Sequence, residues 1–245
     1  MRSSSLDYYG ECAKKLDDPL EVAGRFSFQK EAERAAILDV VDKLSFSPAD
    51  DLLEIGCGAG NFLIPLSFMI RSSTGIDHKN LLATLKRRIP KDQSSLTLIP
   101  GDFLKLSIRT TFSKILIYSV MHYLRDEKEV VTFVTKAAKL LRPGGTLLVG
   151  DIPNKDLKER FLSSKKGKRL DKEWRERVSE AQAAGVIHNL PMPKDIRLVS
   201  LTDAVVARLC TRMRALGFRA RVVPQPKTLP FCYTRQDILI QRPLT

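Results

Sequence analysis

The chain has 245 residues, of which 43% are hydrophobic, and a formal net charge of +13. This composition can bury the core of one α/β domain without help from disulfides or metals, and the four cysteines form no C-x-x-C pair, which argues against a zinc knuckle. No run of about 18 apolar residues is present and the first residues lack an apolar signal core, so we expect a cytoplasmic protein without a membrane span.

The predicted elements begin with an N-terminal arm over residues 1–28, which leads into a single domain over residues 29–245. The first long helix is predicted over residues 29–44, where apolar side chains recur at three- and four-residue steps. Strands and helices then alternate, which predicts a parallel sheet with functional residues just after its strands. The strands are predicted over 52–55, 74–77, 96–99, 114–120, 146–149, 219–223 and 237–240, and the helices over 61–70, 81–89, 127–141 and 202–216.

The regular alternation stops between residues 154 and 200. This segment is rich in charge and contains an amphipathic helix around Trp174, while Lys165–Arg169 is predicted to be a solvated loop. Trp174 is expected to pack on the apolar face of that helix. Because long connections in compact domains often cover binding sites, we predict that residues 154–200 form a substrate lid.

The densest motif is a buried strand that runs into Gly56, Gly58 and Gly60. Glycine permits positive φ and close approach to a ligand, so we expect the amides of this turn, with the following helix N-terminus, to hold a polar ligand group. A dinucleotide fingerprint would read G-x-G-x-x-G, but here the third glycine comes one residue early and Asn61 stands in its place. Glu54 precedes the turn, and its charge opposes a pyrophosphate and suits a cationic ligand.

These residues, Glu54 to Gly60, resemble the first motif of the class I S-adenosylmethionine-dependent methyltransferases, E/D-x-G-x-G-x-G. The resemblance continues after later strands, with Asp77, Gly101–Phe103, Tyr118–Tyr123 and the L-x-P-G-G turn within Leu140–Thr146. It covers residues 51–151, with a looser match to 242. It implies an α/β fold with a Rossmann-like, doubly wound, seven-stranded, mostly parallel sheet, a helical insertion after the fifth strand, and S-adenosylmethionine as cofactor.

The resemblance also implies roles for residues at the strand ends. Asp77 would accept hydrogen bonds from the ribose hydroxyls, Asp102 would accept one from the adenine amino group, and the amide of Phe103 would meet the ring. His78 is expected to border the adenosine, and Cys57 to pack at the turn because no partner base is visible. The predicted cofactor-binding set is Glu54, Gly56, Cys57, Gly58, Gly60, Asn61, Asp77, His78, Asp102, Phe103 and Ser119.

Two histidines are candidates for catalysis. Methyl transfer from a sulfonium is an in-line displacement, in which the protein aligns the reactants and, for a hydroxyl acceptor, supplies a base. His122 follows the fourth strand, and with a pKa near neutrality it could take the acceptor's proton. His188, in the insertion, is the second candidate, and catalysis by positioning alone stays open. No metal is predicted, because Asp126 and Asp151 are isolated carboxylates.

The acceptor is predicted to be a small molecule that is methylated on a hydroxyl group, such as a glycan precursor or a secondary metabolite. Ser119-Val120-Met121-His122 stands where base methyltransferases commonly carry an Asn/Asp-Pro-Pro-Tyr motif, which disfavours nucleic acid. The basic charge keeps an RNA methyltransferase open as an alternative. A non-catalytic partner subunit that keeps the fold is the other alternative, and the oligomeric state stays open.

Overall fold

The computed structural model describes residues 4–90, 93, 95–188 and 190–244. Within them, strands and helices alternate along most of the chain. The strands are β1 (Asp51–Ile55), β2 (Ser72–Asp77), β3 (Leu96–Pro100), β4 (Phe112–Tyr118), β5 (Leu141–Pro153), β6 (Arg219–Pro224) and β7 (Arg235–Gln241). The helices are α1 (Ser5–Lys15), α2 (Pro19–Val22), α3 (Lys30–Leu44), α4 (Leu63–Ser67), α5 (Lys79–Arg88), α6 (Glu127–Lys139), α7 (Lys155–Ser163), α8 (Lys165–Ala183) and α9 (Asp203–Ala215).

The strands form one seven-stranded sheet in the order β3-β2-β1-β4-β5-β7-β6. The pairs from β3 to β5 are parallel, whereas β7 runs antiparallel to both β5 and β6. After β1 the chain extends the sheet to one side through β2 and β3, and then returns to place β4 on the other side of β1. This reversal creates a crevice at the carboxyl ends of β1 and β4, where sheets of this kind bind ligands. The predicted Rossmann-like fold is confirmed.

The core lies on both faces of the sheet. All five residues of β1 are buried, as expected for a central strand covered on both sides. On one face, α6 and α9 pack side chains such as Val134 and Leu209 against the strands. On the other face, α3, α4 and α5 contribute Val40, Leu63 and Leu85. The sheet is therefore a rigid platform whose carboxyl edge carries the site.

Three predicted boundaries are wrong. Helix 61–70 shrinks to the five residues of α4, because residues 57–62 form turns. Helix 127–141 ends at Lys139, since Leu141 pairs with Phe112 at the start of β5, so the Gly144-Gly145 pair lies inside that strand and does not cap the helix. Lys165–Arg169 is the first part of α8 and not a loop, because Ser164 caps the helix by accepting a hydrogen bond from the amide of Gly167 at 2.9 Å.

The N-terminal arm lies against the carboxyl edge of the sheet. The side chain of Asn80 donates to the carbonyl of Gly10 at 3.0 Å, and that of Asn61 donates to the carbonyl of Pro19 at 3.2 Å. Helices α7 and α8 follow β5 directly at the same edge. Within the described ranges, no helix has the length and apolar character needed to cross a membrane.

Candidate active site

The glycine turn after β1 takes the expected backbone shape. Gly56, Gly58 and Gly60 have φ of 81°, 54° and 86°. Their amides, however, donate within the protein: Gly56 to the carbonyl of Ile76, Gly58 to the carboxylate of Asp77, and Gly60 to the carbonyl of Cys57. These three amides are therefore already bonded within the protein, α4 is a helix of only five residues, and the ligand-holding role of the turn stays a prediction. The glycines instead permit close approach, and a Cβ built on Gly58 would meet no atom within 4 Å.

Glu54 is a buried carboxylate without a full set of partners. Its side chain is 2% exposed, and among the described residues its Oε2 has no hydrogen-bond donor. Burial, and secondarily the charge of Asp77, raises the pKa of Glu54 well above its ordinary value, while Arg25 opposes the shift. A cationic or hydrogen-bond-donating ligand at this edge would satisfy that oxygen, which fits the amino group of S-adenosylmethionine.

Asp77 ends β2 beside the glycine turn. One oxygen accepts from the amide of Gly58 at 2.7 Å and the other from the amide of His78 at 2.6 Å. Burial raises the pKa of Asp77 to about 6 although both amide bonds favour the charged form. Each oxygen keeps a lone pair for a further donor, so the two carboxylate oxygens can still accept hydrogen bonds from the ribose hydroxyls. His78 caps α5 and packs against Gly10, which places it beneath the arm.

Three other members of the predicted cofactor-binding set have side chains that contact mainly the protein itself. The ring of Phe103 is buried against Phe133, with ring centroids 4.9 Å apart, so only its backbone can face a cofactor. Asp102 is partly exposed and accepts from the amide of Leu104 at 3.0 Å. Cys57 is buried and packs beside Gly75, and burial raises the pKa of its thiol well above the ordinary value, which agrees with a packing role.

A strained pair of residues joins the ends of β4 and β5. Ser119 and Asp151 have φ of 58° and 60°, in the left-handed region that side chains other than glycine rarely adopt. The hydroxyl of Ser119 donates to Oδ2 of Asp151. Each such conformation costs on the order of 1–3 kcal/mol and tends to be kept where function requires it. The strained backbone at Ser119 and Asp151 therefore indicates that this edge of the sheet is a functional site.

Two arginines that the sequence analysis missed complete the polar cluster. Arg235, at the start of β7, forms an ion pair with Oδ2 of Asp151. Arg25, from the arm, forms an ion pair with Glu33 of α3 and donates to the hydroxyl of Ser119 at 3.3 Å. Asp151 could have been found, because it follows a strand, but no local pattern marks the arginines, which come from opposite ends of the chain.

These residues surround a cavity of about 260 Å³, which we call the inner cavity. It is bounded by the strand ends, by the arm and by α8. Its lining includes Arg25, Ser119, His122, Asp151, Trp174 and Arg235. Both the arm and residues 154–200 thus contribute to its walls, whereas the sequence analysis expected only the second segment to do so.

His122 lines the inner cavity, but its pKa is not near neutrality. Burial lowers the pKa to about 4, with Arg235 adding to the shift and Asp151 opposing it. Its Nδ1 is buried and has no hydrogen-bond partner among the described residues. The side chain is therefore neutral at pH 7, so one of its two ring nitrogens is a hydrogen-bond acceptor.

His188 lies elsewhere. Its side chain is 65% exposed, and its Nδ1 lies 3.3 Å from a carboxylate oxygen of Glu21 in α2. It does not line the inner cavity. Over the described part of the chain, no group of three His, Cys, Asp or Glu side chains is arranged to hold a metal ion.

Comparison with known proteins agrees with this geometry. A family model described as a methyltransferase domain matches residues 53–149. Nodulation protein S of Sinorhizobium fredii is 30% identical over 107 residues, which make up 44% of this chain and 50% of the relative. An uncharacterized methyltransferase of Bacillus cytotoxicus is 33% identical over 114 residues, 46% of this chain and 50% of the relative. The chain thus spans about half the length of these curated relatives.

Among solved structures, the N-methyltransferase NodS from Bradyrhizobium japonicum in complex with S-adenosylhomocysteine has the same fold, with a TM-score of 0.63 at 18% identity, covering 98% of this chain and 100% of that chain. The match of residues 53–149 to a methyltransferase domain and this shared fold confirm the resemblance to the class I S-adenosylmethionine-dependent methyltransferases that the motifs indicated. The cofactor prediction is confirmed at the level of the family, which uses S-adenosylmethionine.

Proposed function

We propose that this protein transfers a methyl group from S-adenosylmethionine to a hydroxyl group of a small molecule. The observation that carries the proposal is the inner cavity beside the cofactor edge, which is lined by the neutral imidazole of His122. Its volume of about 260 Å³ is at the small end of ligand pockets, which typically measure about 300–1,000 Å³. A cavity of this size takes the reacting part of a small molecule.

Residues on the first three strand ends would hold the cofactor. Glu54 has an unpartnered oxygen for its amino group, Asp77 has lone pairs for its ribose, and Asp102 stands at the end of β3 for its adenine. When bound, S-adenosylmethionine supplies an electrophilic methyl group. The open space in front of Gly58 lets it approach the backbone of the turn.

The acceptor side of the site is polar. Arg25 and Arg235 line the inner cavity together with Glu33 and Asp151, the carboxylates that pair with them. The guanidinium groups would stabilise the negative charge that develops on a hydroxyl as it loses its proton. The imidazole of His122 would accept the hydroxyl hydrogen bond, orient the oxygen and receive its proton.

Two other acceptors have support of their own. The solved neighbour NodS is an N-methyltransferase by its title, which favours an amine. The net charge of +13 favours RNA. Against RNA, the arm and Trp174 help to enclose the inner cavity, whereas a polynucleotide needs an open groove to continue on both sides of the target base.

The test is a transfer assay with methyl-labelled S-adenosylmethionine and three sets of acceptors: small alcohols and phenols, small amines, and total RNA. We expect label on a hydroxyl compound, with heat-denatured protein as the inactive control. Label on RNA, together with salt-sensitive RNA binding, would overturn the proposal, and label only on amines would replace oxygen by nitrogen as the acceptor atom.

A further inference from the structure

The insertion helices α7 and α8 have an apolar face that is only partly covered by the rest of the protein. None of the residues of α7 is buried, and α8 buries only Gly167 and Ala181. Leu170, Trp174 and Val178 follow one another at single-turn spacing on α8, yet each is only half-buried. An amphipathic helix normally buries such a stripe in the core.

A cavity of about 590 Å³ lies under part of this apolar face, and we call it the outer cavity. It shares Trp174, Pro230, Phe231 and Arg235 with the inner cavity, so these four residues form a common wall. The guanidinium of Arg235 lies 4.9 Å from the ring centroid of Phe231, while Asp151 holds it from the inner side. The two cavities are therefore adjacent, and a molecule that reacts in the inner cavity would reach the outer cavity past the side chains of this wall.

The lining of the outer cavity suits a flat apolar body. The rings of Phe161 and Tyr233 stack in parallel, with centroids 4.9 Å apart and an interplanar angle of 6°. Trp174 adds a third ring, and Leu201 adds an aliphatic surface. Because Phe161 and Tyr233 stack on each other and Lys166 lies 4.3 Å from the ring centroid of Tyr233, a planar ligand would pack against the ring edges and against the remaining apolar surface of this lining.

The charges around the outer cavity are unbalanced. Its two carboxylates have cations of their own, since Asp171 pairs with Arg175 at 2.8 Å and Glu173 lies 3.8 Å from Arg169. Two lining cations, Lys158 and Arg177, have no carboxylate within 4.0 Å among the described residues. Arg177 instead lies 4.6 Å from the ring centroid of Phe28. The rim therefore offers positive charge to a ligand.

We propose that the outer cavity binds the remote part of the methyl acceptor, and that this part is a planar aromatic body with an anionic substituent. The proposal rests on the proposed function, because it assigns the acceptor's reacting hydroxyl to the inner cavity. The aromatic body lies against Trp174 and the stacked pair, and the anion lies between Lys158 and Arg177.

The test uses 1-anilinonaphthalene-8-sulfonate, a planar aromatic sulfonate, and its neutral analogue N-phenyl-1-naphthylamine. Trp174 is the single tryptophan of the chain, so energy transfer from it reports a probe near the common wall, and the charge variants then distinguish the outer cavity from the inner one. We expect one site per chain with transfer from Trp174, and about tenfold tighter binding of the sulfonate than of the neutral analogue, as expected for charge-assisted contacts.

Charge variants locate the anion. Lys158→Gln and Arg177→Gln should each weaken binding of the sulfonate about threefold to tenfold and leave the neutral analogue unchanged. Lys165→Gln is the matched control, because Lys165 is exposed on α8 and does not line the outer cavity. Thermal melts followed by circular dichroism check that each variant folds.

Equal affinities for the two probes, absence of transfer from Trp174, or insensitivity to both charge variants would overturn the proposal. The proposal would also be overturned if the protein were a dimer that binds the probe only after dilution to monomer. In that case a second copy of the chain would cover the outer cavity. Calorimetry with S-adenosylhomocysteine on the same samples separates this proposal from the proposed function. If the wild-type protein did not bind S-adenosylhomocysteine, the proposed function would be contradicted, whereas the probe-binding result for the outer cavity would be unaffected.

Discussion

Asp77 combines a buried position with a role that needs its charge. Burial raises its pKa to about 6, so the carboxylate is ionised and a full acceptor above that pH and protonates as the pH falls through it. If it accepts the ribose hydroxyls, affinity for S-adenosylhomocysteine should be steady above pH 7 and fall below pH 6. Isothermal titration calorimetry across this range measures the effect.

Substitution isolates the contribution of this residue. Asp77→Ala should weaken binding of S-adenosylhomocysteine by about 1.5–3 kcal/mol, roughly 10- to 150-fold, because hydrogen bonds to a charged group are lost. The decrease in affinity for S-adenosylhomocysteine near pH 6 should become smaller as well. Glu54 then remains as the other buried carboxylate at this edge. Asp42→Asn, an exposed position on α3, is the control. Unchanged affinity in Asp77→Ala would mean that the ribose lies elsewhere.

His122 has a much lower pKa than the sequence analysis expected, which changes its predicted role in proton transfer. A pKa of about 4 makes it neutral near pH 7 and a weak base, so the acid limb of kcat/KM for the acceptor, measured at saturating S-adenosylmethionine at each pH, should lie near pH 4 and not near neutrality. With an acceptor in hand, His122→Ala should lower kcat by about 10²–10⁴ if the imidazole receives the proton, and should leave cofactor affinity unchanged.

The control for this prediction is His188→Ala, because His188 is exposed and lies outside the inner cavity. It should change kcat less than twofold or so, as expected for surface substitutions away from a site. A loss below about tenfold in His122→Ala, with the acid limb in place, would assign the rate to positioning alone.

At the scale of elements, the arm and the insertion should respond differently to the cofactor. The arm is bound to the cofactor edge through Asn61 and Asn80, whereas α7 and α8 bury few side chains and should open at low free-energy cost. S-adenosylhomocysteine alone should therefore slow tryptic cleavage in the arm and leave cleavage within residues 155–183 unchanged. Mass spectrometry of the fragments distinguishes the two segments, and protection of the insertion alone would contradict this assignment.

The same elements show how far the sequence predicts the structure. The helix predicted over residues 29–44 and the seven strands are confirmed, because their apolar periodicity reflects burial against the sheet. The wrong boundaries of α4 and α6 arise where turns and strand pairing override local propensity, as when Leu141 joins β5. Glu54 and Asp77 could be found from the motif, but Arg25 and Arg235 reach the site only through tertiary packing.

At the scale of the whole molecule, the sheet fixes the cofactor edge while the two chain segments outside it shape the acceptor side. Part of the basic content that gives the net charge of +13 lies on solvated helix faces such as that of α8, where Lys172 and Arg175 are balanced by acidic residues one turn away. Such faces need no nucleic acid partner. The fold and the matched methyltransferase domain therefore indicate the cofactor, and we propose that the inner and outer cavities select the acceptor.

The measurement that tests the central claim most directly is calorimetric titration of the wild-type protein with S-adenosylhomocysteine and, separately, with NAD. Glu54 and the early third glycine favour a cationic ligand over a pyrophosphate, so we predict one bound S-adenosylhomocysteine per chain and no heat of binding for NAD. Saturable binding of NAD with none of S-adenosylhomocysteine would contradict the account.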